Sequence, residues 1–295
     1  MSFLITFDDV NNKNPPAKKY YDSPVCYDTN SSIGFSTNSL CLSPAPADED
    51  DVILSVGGGD TERAKNGKHL ENMLISTTSP FSSLSGLSSD SKVNEALTQE
   101  HIRWGDILQA DFRDTYRNLT LKTYAHSHYV SLNCANVRVV LKVDDDIAWK
   151  ISFLFDYMSN IPLDENALHC RMAQFLWSDR NISSKWYTTK EEYPEKYYPQ
   201  YCLSPLYAAT PSTIAKMHVQ TNNVPFLWLD DVFSTGILAR EAGVSFRNLS
   251  INVYPDNYTP FLKGDVIGQY TNSPEDMVAL FRATNVNLSS ISNLG

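Results

Sequence analysis

Apolar and polar positions follow no clear period over the first fifty residues, which are rich in Asn, Pro, Ser and Asp. The run Pro44-Ala45-Pro46-Ala47-Asp48-Glu49-Asp50-Asp51 has the composition of a linker. A poorly ordered tail is therefore expected over 1–50, one domain over 51–285 and a loose end over 286–295. Val52 to Val56 is a short apolar run that reads as a strand, and Gly57-Gly58-Gly59 after it reads as a flexible loop. Glu62 stands where a dinucleotide-binding glycine pattern needs its third Gly. Helical potential runs from Thr61 to Met73, and the Ser-rich stretch over 76–92 predicts a mobile insertion.

From Val93 the periodicity sharpens. A helix is expected to about His101, a short strand from Asp106 to Ala110, and a long helix from Asp114 to about Leu132 with Tyr116, Leu119, Thr123 and Tyr124 along one face. The run Arg138-Val139-Val140-Leu141-Lys142-Val143 predicts a buried strand that ends directly in Asp144, Asp145 and Asp146. After it, Ile147, Ile151, Leu154, Phe155 and Met158 fall at helical spacing up to Pro162. Further on, the aromatic segment from Phe226 to Leu229 reads as a strand that delivers Asp230 and Asp231 to a helix through Ala242. Ser273-Pro274 marks one more helix start.

The acidic triplet has two readings. Three adjacent carboxylates repel one another and favour protonation or a counter-cation, and open α/β sheets bind ligands beyond the carboxyl ends of their strands. That favours a divalent cation in a cleft that also holds phosphate oxygens. The other reading is a solvated acidic turn, with Asp145 or Asp146 stabilising a helix N-terminus. Asp230-Asp231 is likewise balanced between a helix cap and a carboxylate base for a metal-assisted transfer.

Bulk composition narrows the classes. With a formal charge of -10, a pI near 5.0 and only 24 Lys and Arg, scattered along the chain, no basic groove for nucleic acid is expected. No apolar run approaches a membrane span, and Asp8 and Asp9 sit where a signal peptide needs cations, so the sequence as written is expected to be soluble and without an address. Five cysteines lack zinc-ligand spacing, and their odd count leaves at least one thiol free or paired between chains. Six Asn-x-Ser/Thr sites lend weak support to a secretory protein. His126 and His128 form a His-x-His pair whose rings a helix points to different faces, so it is not expected to bind metal. Trp177, Trp186 and Tyr187, near Tyr193, Tyr197 and Tyr198, are either a sugar-stacking platform or ordinary core and surface aromatics.

A series of motifs in order carries a resemblance. Trp104-Gly105-Asp106-Ile107-Leu108-Gln109-Ala110-Asp111-Phe112-Arg113-Asp114-Thr115-Tyr116 leads into Asn118-Leu119-Thr120-Leu121-Lys122-Thr123 and then Leu141-Lys142-Val143-Asp144-Asp145-Asp146. Tyr198-Pro199-Gln200-Tyr201-Cys202 and Asp230-Asp231-Val232-Phe233 follow. Over about Val93 to Gly243 this resembles the β-1,3-galactosyltransferase family, which includes β-1,3-N-acetylglucosaminyltransferases and is related to the Fringe enzymes. The resemblance implies an α/β fold of GT-A type: a single catalytic domain with a Rossmann-like, mixed, mostly parallel central sheet flanked by helices. It implies an inverting hexosyltransferase that takes galactose, N-acetylglucosamine or N-acetylgalactosamine from a UDP-sugar to a glycan acceptor. Asp144 and Asp146 match the family's Asp-x-Asp metal element for Mn²⁺, or Mg²⁺, with Asp145 and Lys122 on the donor side. A surface lysine on the helix is the other reading of Lys122. Asp231 matches the general base, and Asp230 stands where the family often has Glu. A Golgi-lumen location, with a membrane anchor that this sequence does not display, is implied too. The chain departs from the family at Leu203-Ser204-Pro205-Leu206-Tyr207, where Ser204 and Leu206 hold glycine-like positions, and upstream, where Arg63 alone hints at the paired arginines. A relative without catalysis, acting as a glycan-binding or partner protein, is the alternative.

Overall fold

A computed structural model describes residues 52–56, 81–104, 107–173, 176–254 and 256–285. The tail over 1–50, the triple-glycine loop, the Thr61 to Met73 helix, Arg63 and the end over 286–295 lie outside them. The chain runs through β1 (Val52–Val56), β2 (Phe81–Leu87), α1 (Ser91–Trp104), β3 (Ile107–Arg113), α2 (Leu119–Asn133) and β4 (Val139–Val143). The Ser-rich stretch expected as an insertion thus supplies a strand and a helix start. Its small side chains suit a crowded strand interior: Leu84 and Ser85 are buried, and a Cβ on Gly86 would meet the Phe112 ring and carbonyl oxygen at 2.7 Å. Helix α2 begins later than expected because Asp114 and Thr115 lead into a tight 3-10 turn over Tyr116–Asn118.

After the acidic turn comes β5 (Ile147–Trp149), where helical spacing predicted helix, and α3 (Ile151–Ser159) follows it. Tertiary pairing decides this, since β5 finds an antiparallel partner far along the chain. Then come β6 (Ala167–Ala173), β7 (Tyr201–Ala209) and α4 (Pro211–Val219), with Thr210 accepting from the Thr213 N–H at the helix start. The Phe226 to Leu229 segment is not a strand. Its Leu227 carbonyl accepts from Thr120 Oγ1 of α2 at 3.0 Å, a side-chain bond in place of a ladder. A wide π-helical segment, Asp231–Ile237, runs on as α5 (Leu238–Glu241). The chain finishes with β8 (Ser245–Asn248), β9 (Ile251–Asn252), α6 (Thr259–Lys263), β10 (Gly268–Tyr270) and α7 (Pro274–Asn285), whose Asp276 N–H donates to Ser273 Oγ as the cap signal predicted.

The main sheet has the order β3-β2-β1-β4-β7-β6-β8, and a second sheet has the order β5-β10-β9. Strands β1 to β4 are mutually parallel, and β7 runs antiparallel to both β4 and β6. All five residues of β4 are buried because both faces of the sheet are covered. Val140 packs in one cluster with Leu121, Ala125 and Tyr129 of α2, whereas Val139, Leu141 and Val143 join Leu154 and Met158 of α3 on the other face. A fully buried leucine such as Leu141 contributes about 1.5–3 kcal/mol by leaving water. Cys170 and Cys202 form a disulfide between β6 and β7, and Cys134 is buried. Among the described residues no helix is long and apolar enough to cross a membrane.

Candidate active site

The parallel strands β2, β3 and β4 end on one side of the sheet, and their ends carry the polar groups. At the ends of β2 and β3, Asp114 accepts from the Gly86 N–H at 3.0 Å and pairs with Lys122 of α2 at 3.0 Å, both side chains being buried. Lys122 is therefore not a surface lysine. Its ammonium is committed to Asp114, which places it as a brace for the strand ends.

At the end of β4, the three aspartates form a half-buried turn. Two groups from the far end of the chain clamp it. Tyr270 of β10 donates its hydroxyl to Asp146 Oδ2 at 2.7 Å, and Thr271 donates through both its N–H and its hydroxyl to the Asp146 carbonyl, each at 2.9 Å. Asp144 pairs with Lys142, the penultimate residue of β4. Burial pushes the Asp144 carboxyl up to about 8; Lys142 opposes that rise, while Asp146 and Asp231 add to it.

Asp230 and Asp231 stand at the head of the π-helical segment, held against α2 and β7. Thr123 Oγ1 donates to Asp230 Oδ2 at 2.9 Å, Ser234 Oγ to Asp230 Oδ1 at 3.2 Å, and Thr235 Oγ1 to the Asp231 carbonyl at 2.7 Å. Thr235 Oγ1 in turn accepts from the Cys202 N–H at 3.0 Å. Gly236 permits this contact, since a Cβ there would stand 3.1 Å from both Pro199 and Tyr201 side-chain atoms. Burial, then Asp231, push the Asp230 carboxyl up to about 6, against Lys142, Thr123 and Ser234.

Lys142 links the two acidic sites. Burial disfavours its charge, but Asp144, Asp230 and Asp231 outweigh that and hold the ammonium above the ordinary lysine range. Sequence reasoning passed over this residue. The available signal was a lone lysine inside an otherwise apolar strand, one residue before the acids. Nor did it find Tyr270 and Thr271, which no local spacing ties to Asp146.

The oxygens gathered here are hard ligands, the type that Mg²⁺ and Mn²⁺ take. Among the described residues no three His, Cys, Asp or Glu side chains surround a common point as a ready cage. The residues fit an ion that completes its shell with substrate oxygens, and Asp144 already engages a cation in Lys142. Beside Asp231 stands an aromatic wall. Tyr116 and Trp228 meet edge-on at 6.4 Å, Arg117 lies 3.7 Å over the Trp228 ring, and Lys185 lies 4.7 Å from Trp186 and 5.5 Å from Tyr116. Burial raises the Tyr116 hydroxyl pKa, a hydrogen bond with Trp186 opposes that, and Asp231 and Asp230 add to the rise, which puts this wall within the field of the second acidic pair. Trp177 packs instead on Tyr197 at 4.7 Å, and Tyr193 and Tyr198 are core. His126 is buried, whereas His128 meets His218 at 3.2 Å.

The family model for Galactosyltransferase matches residues 77–250, more than half of the chain. The chain belongs to this galactosyltransferase family. That match takes in all five carboxylates of the two acidic sites and stops short of β10. Among curated relatives, the human protein named beta-1,3-galactosyltransferase 5 is 31% identical over 176 residues, 58% of this chain and 53% of its own. The Xenopus tropicalis lactosylceramide 1,3-N-acetyl-beta-D-glucosaminyltransferase is 33% identical over 151 residues, 50% of this chain and 40% of its own. Human UDP-GalNAc:beta-1,3-N-acetylgalactosaminyltransferase 1 is 28% identical over 159 residues, 54% and 46% of the two chains. The chain spans about half the length of the curated relatives it matches. Among solved structures, the galactosyltransferase LgtC in complex with donor and acceptor sugar analogs aligns over 78% of this chain and 95% of its own at 16% identity, with a TM-score of 0.41. In this galactosyltransferase-family chain the sheet is mixed, mostly parallel and flanked by helices, as the motifs implied.

Proposed function

We propose that this chain is the catalytic part of a metal-dependent, inverting glycosyltransferase that moves galactose, or an N-acetylhexosamine, from a UDP-sugar to a glycan acceptor in β-1,3 linkage. One observation carries it: Lys142, buried in β4, pairs with Asp144 of the acidic turn and lies within the field of Asp230 and Asp231. Two carboxylate sites that close divide the work of a transfer between them.

On this reading Asp144 and Asp146 hold Mn²⁺, or Mg²⁺, with Asp145 beside them at the donor. The bound ion would offset the negative charge of the departing UDP. Asp231 takes the proton of the acceptor hydroxyl as that oxygen attacks the anomeric carbon, the bond to UDP breaks on the opposite face, and the configuration inverts. Asp230, fixed by Thr123 and Ser234, orients Asp231 and the acceptor. Lys122 acts indirectly, by bracing the β2 and β3 ends through Asp114. Tyr116 and Trp186 offer apolar faces for a sugar ring beside the base. The Cys170–Cys202 disulfide suits an oxidising compartment and supports a location in the Golgi lumen.

Purified protein is expected to transfer or hydrolyse a UDP-hexose when Mn²⁺ is present. Asp146→Ala should abolish metal-dependent UDP binding, while Asp231→Asn should spare binding and lower turnover by about 10²–10⁴-fold. Calorimetry with UDP and Mn²⁺, run beside a transfer assay, separates the two. Equal loss of donor binding in both variants contradicts the division of roles, and absence of UDP binding by the parent protein points to the non-catalytic relative.

A further inference from the structure

Lys142 is 7% exposed and sits in β4 directly opposite Tyr207 of β7. With period two along the strand, it shares the face of Val140, toward α2. A buried ammonium is costly to desolvate, and packing alone would be served as well by an apolar residue of similar length. What the position holds instead is charge. The ammonium engages Asp144 Oδ1, and Asp230 and Asp231 feel it from the other side. Five carboxylates and one fixed cation leave a net negative site in which one of the oxygens an ion would use is already taken.

We propose that Lys142 is a resident counter-cation that keeps the acidic turn from capturing a divalent ion alone, so that the ion is held only together with the diphosphate of the sugar donor. This rests on the assignment of Asp144 and Asp146 to the metal. An ion arriving alone meets an Asp144 already engaged by a buried ammonium, and two charges of like sign stand side by side. A diphosphate contributes its own oxygens and negative charge, which restores both ligand number and balance. By linkage, the ion and the nucleotide then strengthen each other's binding to the same degree. Lys142 is a positioning residue here, since it touches Asp144 and not the reacting atoms.

The test is Mn²⁺ binding to the whole chain with and without UDP, followed by the electron paramagnetic resonance signal of the free ion. In the parent protein UDP should tighten Mn²⁺ binding strongly. Lys142→Met should tighten binding of the ion alone by about tenfold or more, given the loss of one adjacent like charge, and should shrink the effect of UDP. Lys142→Arg should restore the parent pattern. Unchanged or weaker binding of the ion alone in Lys142→Met, with the parent protein still binding ion and UDP together, overturns the inference and leaves the proposed function standing. A parent protein that binds no Mn²⁺ even with UDP overturns both. Should Lys142→Met prove unstable, its melting temperature must rise more with Mn²⁺ alone than that of the parent; an equal or smaller rise also defeats the idea.

Discussion

Two hydroxyls, Thr123 Oγ1 and Ser234 Oγ, meet the Asp230 carboxylate at 2.9 and 3.2 Å. Hydrogen bonds to a charged carboxylate favour ionisation, whereas burial and the neighbouring Asp231 oppose it, and the outcome is a carboxyl pushed up to about 6. The pair titrates as a unit, so kcat/KM should fall as pH drops through about 6 and the pair takes up a proton. Removing either hydroxyl withdraws support from the ionised form. Ser234→Ala and Thr123→Val should therefore move this acid limb upward by about one pH unit, the equivalent of one hydrogen bond to a charge. A limb that stays put in both variants, measured with saturating Mn²⁺, counts against Asp230 as the group seen in the profile. The Thr123 contact is not visible as a motif, because 107 residues separate it from Asp230.

Elements differ in how plainly the sequence displayed them. Strand β4 was legible as a continuous apolar run, and helix α2 through residues recurring along one face at helical spacing. Strand β2 was hidden, since serine is a poor strand signal, and only its place between β1 and β3 makes small residues suitable. The three residues of β5 continued the helical spacing of α3, and only the pairing with β10 overrides it. The staple between β6 and β7 was not readable at all, because spacing does not give connectivity. That staple also has a functional neighbour: the Cys202 N–H donates to Thr235, which holds the Asp231 carbonyl. The cysteines lie 32 residues apart, and closing a loop of that size stabilises by about 3–4 kcal/mol in the chain-entropy treatment. Replacing both cysteines with serine should lower the denaturation midpoint accordingly. An unchanged midpoint would show the crosslink to be incidental.

For the molecule as a whole, acid is the expected weakness, and His126 is one reason. It is 5% exposed, neither ring nitrogen has a hydrogen-bond partner among the described residues, and burial, then Lys142, lower its pKa to about 4. An unfolded chain takes up a proton on this ring below about 6.5, whereas the folded chain resists until about 4. Stability contributed by the neutral ring is thus complete above the upper value and lost as pH falls toward the lower one, by up to about 1.4 kcal/mol per pH unit. His126→Leu should reduce the difference in melting temperature between pH 7 and pH 5, and an identical difference in both proteins would assign the acid sensitivity elsewhere. The five carboxylates were legible in the sequence because the triplet and the pair each adjoin an apolar run. What surrounds them was not, because Lys142, Thr123 and Tyr270 reach the acids only once distant elements have packed.

The clamp on Asp146 has one further consequence. Tyr270 and Thr271 stand 124 and 125 residues downstream of the aspartate they hold, beyond the last residue of the family match at 250. A ribosome making this protein would finish every acidic residue of the site long before it made the strand that fixes the acidic turn. A protein trimmed at the family boundary would keep all five of these carboxylates while losing the restraint that aims one of them, so the proposed activity is tied to completion of the strand.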